Sequence, residues 1–213
     1  TGKWMDIFGE HWKDHHVRVE TAWRDLVGPG DIVLVPGDLS WAMKPAEAEP
    51  DLRWLAGLPG TKVIIKGNHD QRGTRVKEWG FFQMMERAWS DLGNLDLSFY
   101  KWCIIQGARV EHFGNYAKVP GSVARERAEI EQMDVAGGHT HHFSMVFTKD
   151  GKHVGIDLGH CTLPEKRYYK TVNGTTRHPK WVSGFWVRRN GCWYPFPKCG
   201  TDWAWWMSLR GKL

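Results

Sequence analysis

Apolar positions near the start of the chain repeat with a helical period. Trp12, His16, Val19, Trp23 and Val27 follow one another at spacings of four, three, four and four. That is one face of an amphipathic helix, which the spacing predicts over residues 10–27. Gly28-Pro29-Gly30 ends it. Ile32-Val33-Leu34-Val35 is then continuously apolar, the pattern of a short strand covered on both faces. It runs directly into Pro36-Gly37-Asp38. The same sequence of patterns returns once. A helix is expected over about 45–56, with Pro45 at its start. Pro59-Gly60 makes a turn, and KVIIK over 62–66 is a second buried strand ending in Gly67-Asn68-His69-Asp70. A third helical stretch is expected over about 75–89.

The second half alternates more. Residues 101–106 and 109–113 are expected strands around Gln106-Gly107, and 123–132 is a charge-rich helix. Residues 133–136 form a short strand leading into Gly137-Gly138-His139-Thr140-His141. Strands over 144–148 and 153–158 flank Lys149-Asp150-Gly151-Lys152, and strands over 184–189 and 192–196 flank Asn190-Gly191, a strong hairpin signal. Strand-then-polar-loop units joined by helices imply a layered α/β fold. In such folds, ligand sites gather at the carboxyl ends of strands, where Asp38 and the Asn68-His69-Asp70 run fall. No repeat or linker divides the chain, so residues 1–213 are expected to form a single domain.

Composition changes this picture little. A net charge of +5 suits an anionic substrate without pointing to nucleic acid. The four cysteines include no CxxC pair, which argues against a zinc knuckle and a disulfide framework, and for free thiols in a reducing cytoplasm. No apolar run approaches the roughly 20 residues of a membrane span. The fourteen tryptophans are the oddity. Most are expected in the core, with a Trp-rich C-terminal segment, about 180–213, packed on the domain. Trp203, Trp205 and Trp206 fit either that packing or a docking surface.

Asp38, Asn68, His112, His139 and His141 are all ligands that first-row divalent ions accept. Four of them follow expected strands immediately, and His112 lies near the end of one. The glycines beside them, Gly37, Gly67, Gly137 and Gly138, would let the backbone turn so that the side chains converge. Asp38, with two oxygens, could bridge two ions about 3.5–4 Å apart, with a hydroxide between them as nucleophile.

This constellation resembles the calcineurin-like metallophosphoesterase superfamily. The resemblance rests on GDL at 37–39, GNHD at 67–70, His112 alone in a strand, and GHTH at 138–141. MDIFG at 5–9 and PGDLSW at 36–41 are similar to a bacterial and phage branch of predicted phosphohydrolases. The resemblance implies a four-layer α/β/β/α sandwich and two divalent ions (Mn, Fe, Zn or Co). It implies that Asp38 bridges them, that Asn68, His112 and His139 complete one site, and that His141 serves the other. His69 would contact the phosphate or protonate the leaving oxygen, with Asp70 orienting it. The expected activity is hydrolysis of a phosphate mono- or diester, the substrate being a phosphorylated nucleotide, nucleic acid or phosphoprotein, in the cytoplasm and without a membrane.

The chain departs from the family at one place. An earlier Asp-x-His, on a first strand, supplies further ligands to the ion that His141 serves. Asp14-His15-His16 spells that motif inside the first expected helix, where a structural role is the expectation, and the strand is expected upstream of Thr1. The alternative function is therefore a catalytically impaired metal-binding fold that binds a partner or nucleic acid. Arg72 is placed either to hold a phosphate oxygen or to sit in water at a helix start. His142 is expected either at the substrate or at the surface, His160 and Cys161 in packing or in the cleft, and Arg125 and Arg127 on a solvated face.

Overall fold

A computed structural model of the chain describes residues 15–40, 42, 45–70, 97–161, 171–172, 175–176 and 182–197. The helix expected over 75–89, the beginning of the first helix, Arg72 and the tryptophans at 203, 205 and 206 lie outside the described residues.

Helix α1 (His15–Leu26) and strand β1 (Ile32–Val35) fall on the expected periodic and apolar runs. Helix α2 (Pro45–Ala56) and strand β2 (Thr61–Ile65) repeat the unit. Strand β3 (Leu97–Tyr100) completes a parallel sheet of order β1-β2-β3. The helical side of this sheet buries Ala48, Leu52, Leu55, Leu58, Ile64 and Phe99, with Trp23 of α1 packed against them. Each such Leu or Ile contributes about 1.5–3 kcal/mol relative to exposure. The indole N–H groups are satisfied at the same seam: Trp23 donates to Pro59 O at 2.9 Å and Trp54 to Glu20 Oε2 at 2.7 Å. Lys62 of β2 is fully buried, yet its Nζ donates to Leu58 O at 2.7 Å and Ala56 O at 3.3 Å. Those carbonyls lie at the end of α2, where the helix dipole favours a cation.

β1 departs from the expected two-sided burial. Ile32 is 57 % exposed and Val33 to Val35 are only partly buried. Among the described residues β1 is the outer strand of its sheet, which leaves its first residue open to water.

Strands β4 (Trp102–Ile105), β5 (Ala108–His112), β6 (Asp134–Gly138), β7 (Phe143–Phe147) and β8 (Val154–Leu158) form a second sheet of order β4-β5-β6-β8-β7. Its three central strands, β5, β6 and β8, are parallel, and β4 and β7 are antiparallel edges. Helix α3 (Ser122–Glu131) covers one face through Val123, Ala124 and Ala128, against Val135 and Phe113. The other face meets the first sheet in a core of Ile65, Val110, Ala136, Val154 and Ile156 with Leu34 and Val63. The layers are thus helix, sheet, sheet, helix: the α/β/β/α sandwich expected.

β3 was not expected. It and β4 lie in different sheets with only Lys101 between them, so the run from Leu97 to Ile105 changes layer at one residue. Two short paired strands, β9 (Thr171–Val172) and β10 (Thr175–Thr176), follow the second sheet. The last described elements are β11 (Gly184–Arg189) and β12 (Cys192–Pro197), the expected hairpin. Positive φ at both Asn190 (51°) and Gly191 (78°) is what a tight primed turn requires. Trp186 and Trp193 of this hairpin pack on the inter-sheet core.

Candidate metal centre

The carboxyl ends of β1, β2, β5 and β6 meet at one edge of the two packed sheets. The backbone is tight there. Gly37 takes φ 94°, and a Cβ on it would strike the His112 ring and Gly67 Cα. A Cβ on Gly67 would run into the backbone N and the carboxylate of Asp38. Gly137 and Gly138 serve differently from expectation. Both are strand residues, and they leave room for the Phe113 ring and for Pro36 O. The sharp turn falls instead on side-chain-bearing residues: Asp38 (φ 59°), His139 (φ 90°) and His141 (φ 59°). Such backbones cost about 1–3 kcal/mol each and persist only when their surroundings enforce them.

Three potential ligand atoms touch one another. His112 Nε2 lies 2.9 Å from Asn68 Oδ1 and 3.2 Å from His139 Nδ1, and His139 Nδ1 lies 2.9 Å from Asn68 Oδ1. Ligands held about 2.1 Å from a common ion stand about 3.0–3.4 Å apart, so this triangle has the edge length of one face of a coordination shell. Protonation states point the same way. His112 Nδ1 lies 2.8 Å from Pro36 O, a pure acceptor, so that nitrogen carries the hydrogen. With Nδ1 turned to Pro36 O, Nε2 is the ring nitrogen that faces Asn68 Oδ1 and is free of the backbone to meet an ion. Burial lowers the pKa of His139, and the neighbouring His112 adds to this while Asp38 opposes it.

Asp38 stands beside the triangle, with Oδ2 3.7 Å from His112 Nε2 and Oδ1 accepting the His69 amide at 2.8 Å. Among the described residues no group of three His, Cys, Asp or Glu side chains forms a ready-made cation cage. The triangle includes an amide among its donors and falls outside that class. The donor set fits a first-row divalent ion, with imidazole nitrogen and amide or carboxylate oxygen.

Asp70 is buried and its carboxylate accepts three backbone amides: Gly67 at 2.8 Å, Asp38 at 2.9 Å and Ser40 at 3.2 Å. Burial raises its pKa, against the pull of the Gly67 and Ser40 amides. These bonds tie the loop after β1 to the loop after β2, and so set where Asp38, Asn68 and His69 stand.

His141 lies on the loop after β6, and its ring is 5.4 Å, centroid to centroid, from that of His160, which follows β8. The segment entering β11 crosses both. Val182 N donates to His141 O at 3.1 Å, Gly184 N donates to His160 O at 3.1 Å, and Ser183 Oγ lies 3.3 Å from His160 Nδ1. His142 is at neither the surface nor an open site: it is buried, with its ring 5.6 Å from that of Tyr116. His16 is exposed within α1 rather than buried on its apolar face.

The order of these donors along the chain, on these strand ends, is that of a known family. A family model described as calcineurin-like phosphoesterase matches residues 6–187. The chain belongs to that family. As a calcineurin-like phosphoesterase it hydrolyses phosphate esters with the help of divalent metal ions. None of the curated proteins matches it significantly. No helix among the described residues is long and apolar enough to cross a membrane.

Two features of this phosphoesterase escaped the sequence. Arg127 is not on a solvated face. It binds Glu111 at 2.7 Å and Glu131 at 2.7 Å, while Arg109 binds the same two carboxylates at 2.6 Å and 3.2 Å. This quartet braces β5 directly behind His112. Burial pushes the Glu111 carboxyl up, but hydrogen bonds from Arg127 and Arg109 outweigh it and hold the group below its ordinary value. Asp157 of β8 is the other feature: it is buried and receives the Thr140 hydroxyl at 2.8 Å. Charge alternation on a helix signalled the first weakly; a lone Asp in an apolar strand signalled the second.

Proposed function

We propose that this chain cleaves a phosphate mono- or diester with two divalent ions, using Asp38, Asn68, His112 and His139 for one and Asp38 and His141 for the other. The observation that carries this reading is the triangle of mutual contacts among Asn68 Oδ1, His112 Nε2 and His139 Nδ1. Two ions held there would supply a water-derived nucleophile and neutralise charge on the phosphoryl oxygens. Asp38, whose Oδ2 lies 3.7 Å from His112 Nε2, would contribute its carboxylate to both. His69 follows the ligand Asn68 directly, on a loop whose amide is anchored to Asp38. That placement suits a hydrogen bond to a phosphate oxygen or a proton delivered to the leaving oxygen. Asp70 acts on His69 as a positioning residue, through the backbone amides it ties together.

The test is hydrolysis of an aryl phosphate and an aryl phosphodiester by the purified protein with added Mn²⁺, alongside metal analysis of Asp38→Asn and His139→Ala. Metal-dependent turnover, and loss of bound metal in both variants, are expected. No cleavage of either ester, together with unchanged metal content in the variants, would sink the reading and favour a binding module on the same fold.

A further inference from the structure

We propose that Asp157 is a positioning residue that sets the ion affinity of the His139-Thr140-His141 loop through the Thr140 hydroxyl. The inference rests on the metal reading above and adds a residue that is no ligand.

Thr140 lies between two non-glycine residues in left-handed backbone, His139 (φ 90°) and His141 (φ 59°). Two such residues flanking one position do not hold themselves in place. Thr140 is almost fully buried, at 1 % exposure, and its hydroxyl is used twice. It donates to Asp157 Oδ1 at 2.8 Å and accepts the His142 amide at 3.3 Å. The loop is therefore pinned from inside at its middle residue, while Val182 pins it from outside at His141 O.

Asp157 is itself 1 % exposed. Its Oδ2 accepts the Ser144 hydroxyl at 2.8 Å and the Gly121 amide at 2.5 Å. Three donors converge on one side chain, which calls for a group that only accepts. A carboxylate meets that need, because its two oxygens offer lone pairs to all three donors and it has no N–H to present. An Asn here would present its NH2 to at least one donor. The neighbouring strand position on the same face has no freedom to compensate, because a Cβ on Gly155 would collide with the backbone of Ala124 in α3. Asp157 thus fixes Thr140 to the rigid junction of β8, β7 and the start of α3. Groups that orient metal ligands from behind are worth about 10–100-fold in affinity.

A competing account makes Asp157 only an anchor for α3, since Gly121 precedes that helix without a side-chain cap of its own. The two accounts part when each bond to the carboxylate is cut separately. Thr140→Val removes the bond to the loop; Ser144→Ala removes the bond to β7. Mn²⁺ affinity would be measured by calorimetry. Amide hydrogen exchange over residues 138–142 would be measured in metal-free protein, with thermal midpoints alongside. Thr140→Val is expected to weaken Mn²⁺ binding by about 10–100-fold and to speed exchange in the loop by roughly tenfold. Thr140→Ser should restore both. Ser144→Ala should lower the thermal midpoint comparably while leaving affinity within about threefold. Equal affinity and equal loop exchange in Thr140→Val and the unaltered protein overturn the proposal. If the unaltered protein binds no Mn²⁺, the metal reading fails separately, and loop exchange alone decides: faster exchange in Thr140→Val supports the tie, and unchanged exchange refutes it.

Discussion

The two sides of the candidate metal centre are built by different means. Asn68, His112 and His139 are held by convergence: their donor atoms touch, and Asp38 and Asn68 come from one sheet while His112 and His139 come from the other. His141 and His160 are held by a strap, the backbone from Val182 to Gly184 that leads into a distant hairpin. The first side is specified by short motifs at strand ends, so it is fixed wherever those strands pair. The second is tied from within through Thr140 and Asp157 and from outside by chain that arrives later, so part of its geometry can change without altering a motif. One half of the centre is thus intrinsic to the sandwich, and the other is open to adjustment by the hairpin.

The largest effect that would break this contrast is at the triangle. His112→Ala or Asn68→Ala removes one vertex and should lower affinity for the first ion by more than about 100-fold, beyond what outer groups contribute; metal analysis by mass spectrometry checks it. Full metal content in either variant would mean that convergence is not what holds the ion. His141→Ala sharpens the comparison. It should reduce the calorimetric stoichiometry by one ion while the remaining site still binds, its affinity altered only through the shared Asp38. Gly67→Ala tests how closely the two loops approach. Its Cβ meets Asp38, and the resulting strain should cost about 1–3 kcal/mol in denaturant unfolding; an unchanged midpoint would show slack in the loops.

The smallest expected effect is a pH dependence confined to the brace behind His112. Glu111 has its carboxyl held below the ordinary value of 4.5 in the folded protein. A lowered folded value means that its contribution is complete above the ordinary value and is lost as pH falls through the folded one. Glu111→Gln should therefore lower stability near neutrality by about 2 kcal/mol, and the gap between variant and unaltered protein should close on acidification. A gap that stays constant down to acid pH would show that the quartet contributes through packing rather than charge.

Much of this was legible in the sequence, for physical reasons. Ile32 to Val35 and Lys62 to Ile65 are apolar runs cut off by Gly and Asp or Asn, and strands ending in polar loops leave little else for such runs to be. Asn190-Gly191 fixed its hairpin because few dipeptides accept positive φ twice. What stayed hidden is what depends on layers meeting. The strand expected over 101–106 began at Lys101, but Leu97 to Tyr100 just before it, short and broken by Ser98, did not announce a strand of the other sheet. Gly137 and Gly138 suggested a flexible turn, whereas the structure uses them for close packing and places the left-handed backbone on His139. Arg127 looked solvated because one of its two partners, Glu111, lies on a strand of another layer. The seven candidate site residues, Asp38, Asn68, His69, Asp70, His112, His139 and His141, were chosen through motifs, and the mutual contact of three of them depends on strands from two sheets meeting at one edge.

The crossing at Lys101 has a consequence for the metal centre as a whole. Each sheet carries half of the candidate donors around the triangle, so an ion there would be a bivalent ligand bridging two platforms. The platforms are joined by a tether of one residue, and the inter-sheet core locks them face to face. The effective concentration of one pair of donors around the other is then very high, and little ordering remains to be done when an ion arrives. Affinity in such an arrangement is a property of the distance between layers as much as of the ligands. Ile65 and Val110, which touch no ion, help to set that distance.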